Sequence, residues 1–97
     1  MGKTVIKETV IKKEVCESEG AIYSYTLLMS ESNKVASFKL PLYSVAIEMT
    51  DVNGQTTKAK TREIFADVGK AISFFRKLVE NLATPLNLPY IIEVEMQ

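Results

Sequence analysis

The chain contains no histidine, and Cys16 is its only cysteine. The first absence removes the commonest general base, the commonest metal ligand and the near-neutral pH switch. A single thiol rules out an internal disulfide and a cysteine-based zinc site. Acid–base chemistry would have to come from carboxylates, lysine or tyrosine with displaced pKa values. Net charge is also missing, because 12 Lys and Arg balance 12 Asp and Glu. Bulk attraction to nucleic acid or to an acidic membrane is therefore not expected, although charge can still gather locally. No apolar run approaches the ~18–20 residues of a membrane span. The opening Met1-Gly2-Lys3-Thr4-Val5-Ile6 has no signal-peptide core. It meets the myristoylation pattern at Gly2 only, since Ile6 stands where Ser or Thr is needed. A cytoplasmic protein is the default expectation. Gly2, Gly20, Gly54 and Gly69 are scattered, so no phosphate-cradling loop can be assembled from them.

What remains is an ordinary globular composition, 46% apolar and 25% charged, in 97 residues. That length suits one domain over residues 1–97, with residues 1–7 expected to fray. A chain of this size buries roughly 60–65% of its unfolded surface, which gives an adequate but thin core.

Residues 4–14 carry a short echo, Thr4-Val5-Ile6-Lys7-Glu8 and Thr9-Val10-Ile11-Lys12-Lys13-Glu14. Its five-residue step fits neither helix nor strand period and would put successive Val-Ile pairs on different faces. Two copies make no repeat architecture, and a first strand is expected over 8–16. Residues 21–30 alternate cleanly, with Ala21, Tyr23, Tyr25, Leu27 and Met29 on one face, which predicts a half-buried strand. Glu31-Ser32-Asn33-Lys34 is turn chemistry. A third extended stretch covers 35–50, with Val35, Phe38 and Leu40 before Pro41 and the alternating Tyr43, Val45, Ile47 and Met49 after it. Pro41 cannot donate to a ladder and marks an edge, bulge or break.

Asp51-Val52-Asn53-Gly54 turns the chain into a fourth strand. A two-residue Asn53-Gly54 loop would set Val45, Ile47 and Met49 against Arg62, Lys60 and Lys58. A three-residue loop with Gly54 left-handed instead sets them against Thr61, Ala59 and Thr57, with Glu48 facing Lys58. Register follows the hydrophobic pattern, so the three-residue loop is predicted. Ile64 and Phe65 are expected to end the strand.

A helix is predicted over 68–83, with Asp67 as its N-cap. Val68, Ala71, Ile72, Phe75, Leu78, Val79 and Leu82 share an arc of about 100°, with Phe74 at its border. A rod of ~24 Å follows, long enough to cover one face of a small sheet. Thr84-Pro85 stops it. The tail is ambiguous: Pro89 can open a short helix, whereas Tyr90, Ile92, Val94 and Met96 alternate like a strand. Periodicity alone favours the strand.

The second half resembles a known family. Its marks are the stretch Tyr43 to Gly54, then Arg62-Glu63-Ile64-Phe65-Ala66-Asp67, the amphipathic helix, and Leu82-Ala83-Thr84-Pro85-Leu86-Asn87-Leu88-Pro89 leading to Ile91-Ile92-Glu93-Val94-Glu95-Met96. Over roughly residues 43–96 this is similar to a family of short uncharacterised proteins of clostridia and related Gram-positive bacteria, a domain of unknown function. The resemblance implies a short acidic helix for the tail. It carries over no functional residue.

Three groups of residues are candidate sites. Lys58, Lys60 and Arg62 form a basic row on one strand face, able to meet an anionic ligand or nucleic acid, or simply a solvated face with Glu48 opposite. Tyr23, Tyr25 and Tyr43, with Arg62 and Glu63, could line a pocket, or the tyrosines could pack under the helix with hydroxyls at the rim. Cys16 lacks any histidine to activate it and reads as a structural thiol. The carboxylates Glu93 and Glu95, or Asp51 and Asp67, have no spacing tied to a metal or catalytic site. No catalytic residue, metal or cofactor is expected.

The fold class expected is α+β: an antiparallel sheet of about four strands (ββββ) with one long amphipathic helix on one face and a short C-terminal segment, helix or alternatively fifth strand. The function that fits best is a non-catalytic interaction module or homo-oligomer, with a protein partner or a second copy and no membrane. A small-ligand binder is the alternative. So is a weak anionic-ligand or nucleic-acid binder through Lys58, Lys60 and Arg62. An enzyme would have to rely on Arg62, Glu63, a tyrosine or Cys16.

Overall fold

The computed structural model describes residues 6–32, 41–62 and 65–95. The chain forms β1 (Ile6–Ser18), β2 (Ala21–Ser32), β3 (Leu42–Thr50), β4 (Thr56–Lys60), α1 (Val68–Glu80) and α2 (Leu88–Glu95). The strands make one antiparallel sheet in the order β1-β2-β3-β4. This is the expected α+β class, with two helices in place of one long one. The sheet is a meander, so each strand pairs with its neighbour in sequence.

Both strands of the first hairpin outrun their predicted ends. Ser18 pairs with Ala21 across a loop of Glu19 and Gly20, both left-handed at φ 52° and 84°. Two consecutive positive φ angles define the tight turn whose twist matches the flanking strands. Gly20 accepts that backbone freely, but Glu19 does so at a cost. Glu19→Asn is expected to stabilise the domain by about 0.5–1 kcal/mol, because Asn tolerates this conformation and no packing is lost at an exposed position. A urea titration reads the gain, and a lower midpoint would show that Glu19 contributes something beyond the turn.

β2 continues through Glu31 and Ser32, which had been expected to start a turn. The other turn residues, the extended segment with Val35, Phe38 and Leu40, and Glu63 and Ile64 lie outside the described residues. In β1 the register shifts between Val10 and Lys12, which makes Ile11 an inserted residue. Val10 pairs with Leu28 and Val15 with Ser24, so the two valines share a face.

The three-residue loop between β3 and β4 is as predicted. Gly54 N donates to Asp51 O (2.9 Å), Asp51 N donates to Gln55 O (2.9 Å), and Gly54 has φ 84°. Ile47 faces Ala59, Met49 faces Thr57 and Glu48 faces Lys58. Asp51 Oδ1 accepts from the amides of Asn53 and Gln55 and fixes the turn. β4 stops at Lys60, short of the expected end at Ile64 and Phe65. Thr61 explains the break: its N–H still donates to Val45 O (2.8 Å), but its hydroxyl takes the place of a backbone acceptor for Val45 N (3.0 Å). Phe65 then returns as an isolated bridge to Tyr43.

α1 begins at the predicted cap, where Asp67 Oδ1 accepts from Gly69 N (2.7 Å) and Lys70 N (3.3 Å). It has 13 residues and ends before the predicted Ala83. Leu82 N donates to Val79 O and Ala83 N to Leu78 O, the paired bonds of a helix closed by a left-handed residue, here Leu82 at φ 49°. Ala71, Phe74, Phe75 and Leu78 enter the core against Tyr25, Leu27, Tyr43, Val45 and Ile47 of β2 and β3.

The tail is helical, as the family resemblance implies, and not the strand that its alternation favours. Thr84 Oγ1 accepts from Asn87 N (3.2 Å) and Thr84 O accepts from Leu88 N (3.1 Å), so a helical turn is already formed around Pro85. Pro89 lies in the first turn of α2, where a missing N–H costs nothing. Leu88 is buried, and Ile91 and Ile92 pack against the core at helical spacing.

Candidate functional site

Lys58 and Lys60 lie together on the sheet face away from α1, in a shallow groove with Lys13 over a floor of Ser24, Thr26 and Ala46. Each lysine has a carboxylate partner: Lys58 Nζ is 3.5 Å from Glu48, and Lys60 reaches Glu8 on β1. Ser30 Oγ also donates to Glu8 (3.5 Å). Such exposed pairs add little stability, but they offset the positive potential an anion would need. Arg62 is not part of this group. It follows the end of β4 and lines a separate groove with Leu88, Pro89 and Ile92 of α2. The basic row is thus divided between two surfaces.

The tyrosines are core residues. Tyr25 is fully buried and Tyr43 nearly so, with Tyr23 stacked on Tyr25 at 6.4 Å between ring centroids and 7° between planes. The Tyr25 hydroxyl donates to Ala83 O (2.9 Å), tying the sheet to the chain just after α1. Burial first, then the neighbouring Cys16 and Tyr23, push its pKa up to about 12. Cys16 sits half-buried opposite Tyr23. Glu63, the remaining member of the sequence-predicted pocket, lies outside the described residues.

A wide groove lies beside the start of α1, lined by Phe65, Asp67, Lys70, Ser73 and Glu95 among others. A helix N-terminus there could attract an anion, but the Asp67 carboxylate already occupies the amides of Gly69 and Lys70. Among the described residues, no three Cys, Asp or Glu side chains gather to hold a metal ion. Ser44 Oγ is buried with no hydrogen-bond partner among the described residues.

The residues that sequence reasoning did not name as a site are on α2. Its inner side is spent on Leu88, Ile91 and Ile92, yet its outer side is apolar too. Leu86, just before the helix, is 82% exposed, Tyr90 75% and Val94 66%, spaced four residues apart as one stripe. A shallow apolar groove runs along the stripe between Asn87, Tyr90, Ile91, Val94 and Glu95. The signal was in the sequence: 86, 90 and 94 are a helical row, legible once the tail is read as helix. Among the described residues, no helix is long and apolar enough to cross a membrane.

The fold and surfaces define a small α+β domain, a four-stranded meander covered by a capped helix, with a second helix that is apolar on two sides. The chain belongs to a protein family described as a family of unknown function (DUF6514), whose match spans residues 6–96. It is also similar to the DNA-directed RNA polymerase subunit beta' of Ureaplasma parvum serovar 3, 29% identical over 91 residues. That stretch is 94% of this chain and 7% of the relative. The beta' subunit of Ureaplasma urealyticum serovar 10 is 29% identical over 90 residues, 93% of this chain and 7% of that protein. The chain therefore spans only a small part of these relatives. No solved structure matches it.

Proposed function

We propose that this protein is a non-catalytic interaction module that associates through the outer side of α2, with a second copy as its first partner. The observation that carries this reading is the stripe of Leu86, Tyr90 and Val94, apolar and open on a helix whose other side is already packed. A short helix with apolar residues on two sides is normally covered on both. The zero net charge removes long-range repulsion between copies. A dyad through Tyr90 would set Leu86 against Val94 of the partner and conversely, as a two-fold interface requires. A non-catalytic role is consistent with the absence of histidine and with a basic row already met by Glu8 and Glu48. The polymerase relatives are subunits of an assembly, which suits a module that docks. No polymerase activity is carried to this chain.

Sedimentation velocity tests the reading. The wild-type chain is expected to sediment as a dimer at high micromolar concentration, and Tyr90→Glu as a monomer with unchanged circular dichroism. A charge introduced into a small apolar interface costs several kcal/mol once desolvated, enough for at least a hundredfold weaker association. A wild-type monomer at millimolar concentration, or a Tyr90→Glu dimer of equal strength, would refute association through this surface.

A further inference from the structure

We propose that the groove between β4 and α2 accepts an extended peptide as a fifth, antiparallel strand, with an acidic side chain of the peptide meeting Arg62. This surface is separate from the outer stripe of α2. It uses Leu88, Pro89 and Ile92 of α2 together with Ala59, Lys60, Thr61 and Arg62, and has a volume of about 320 Å³.

Backbone geometry supplies the first argument. Thr61 N donates to Val45 O, and Gln55 O accepts from Asp51 N, so the odd-numbered positions of this strand turn their polar groups toward β3. The even positions, Thr56, Lys58 and Lys60, therefore turn their N–H and C=O groups to the outer edge, where they have no backbone partner among the described residues, because an antiparallel ladder alternates its bonds. A row of unpaired groups on an edge strand is a template for strand addition. The other edge of the sheet is guarded, since β1 carries the bulge at Ile11 beside Lys12 and Lys13.

The groove supplies the second argument. Ala59 and Thr61 line it from the face of the sheet that carries the core, and the α2 side is Leu88, Pro89 and Ile92. Alternate side chains of an added strand would enter this apolar channel while the others point to the opposite face. Charge supplies the third. The lining holds no carboxylate and two cations, of which Lys60 is already met by Glu8, while Arg62 makes no ion pair among the described residues. Arg62 lies past the last strand residue, Lys60, and lines the end of the groove where the N-terminal residue of an antiparallel peptide would lie, so it meets that residue. The occupant is thus a β-prone peptide with apolar residues at every second position and an Asp or Glu near its N-terminal end.

The probe is an acetylated, amidated hexapeptide in which glutamate is followed by alternating valine and threonine. Amide hydrogen exchange followed by NMR is expected to show slowed exchange at Lys58 and Lys60 on binding. Lys60→Pro removes an outward N–H at a position where an edge strand tolerates proline, and is expected to abolish binding. Lys60→Gln keeps that N–H and should bind within threefold of wild type. Arg62→Gln, or glutamine in place of the probe's glutamate, should weaken binding about tenfold and flatten its salt dependence. Tyr90→Glu should leave probe binding unchanged, which separates this site from self-association. Binding that leaves Lys58 and Lys60 unprotected, equal binding by Lys60→Pro, or no binding at millimolar probe would overturn the proposal.

Discussion

Replacing Phe74 with alanine is expected to lower the stability of this domain by about 3–5 kcal/mol, as truncation of a buried aromatic does. Phe74 has no exposed surface, and its ring meets Phe65 at 5.1 Å with a 42° tilt. That contact joins α1 to the segment that returns from β4 to pair with Tyr43, so its loss leaves a cavity bounded by helix and sheet. Domains of this size have total stabilities on the order of 5–15 kcal/mol, so the variant should stand near its unfolding threshold. The urea midpoint should fall by a third or more, with little change in slope. Val68→Ala is the control. Val68 lies in the predicted apolar arc but is 44% exposed, and its truncation should cost less than about 1 kcal/mol. Equal losses at the two positions would show that the sequence arc, rather than the packing, describes the core.

That contrast shows which parts of the fold were legible. The predicted arc placed Val68 inside and Phe74 at the border, because periodicity measures an angle around the helix axis and does not know what lies opposite. Phe65 decides the matter by reaching Phe74 from outside the strand in which it was expected. The register of β3 on β4 was legible, because apolar Val45, Ile47 and Met49 reject a basic row and the only loop that avoids one needs Gly54 left-handed. The cap at Asp67 was legible for a similarly local reason. The tail was not. Leu88, Ile91 and Ile92 sit at helical spacing while Tyr90, Ile92 and Val94 alternate, and apolar residues on both sides satisfy both periods. Thr84 and Pro85 break the tie by starting a turn, which hydrophobic alternation does not register.

The candidate site was less legible than the fold, for a related reason. Lys58, Lys60 and Arg62 are one row in the sequence, but Thr61 ends the ladder and sends Arg62 toward α2. The carboxylates that meet the two lysines come from β3 and from β1, and the second of these is 52 residues away in sequence. The tyrosines carried the opposite ambiguity. Their alternation is equally compatible with a pocket wall and with a core, and the weight of α1 on β2 and β3 puts Tyr25 and Tyr43 in the core.

Tyr25 gives the last test, because one atom joins the sheet to the end of α1. In Tyr25→Phe the ring still fills its place, but Ala83 O loses its buried donor, and about 1–2 kcal/mol of stability should go with it at neutral pH. The pH dependence then distinguishes this bond from simple packing. The hydroxyl's pKa is raised from 10.0 in the unfolded chain to about 12 in the folded one, chiefly by burial and further by Cys16 and Tyr23. Below pH 10 both states hold the proton, so the contribution of the hydroxyl is fully present. Between pH 10 and about 12 the unfolded chain releases the proton while the folded one keeps it, and stability falls as pH rises. Phenylalanine has no such proton. The advantage of wild type over Tyr25→Phe should therefore be constant from pH 7 to about 10 and shrink above it, as read from urea midpoints of the two proteins side by side. Tyrosinate absorbance should show one more ionisation near pH 12 in wild type than in the variant. A difference between the proteins that stays constant to pH 12 would mean that the Tyr25 hydroxyl is not held in its buried bond to Ala83.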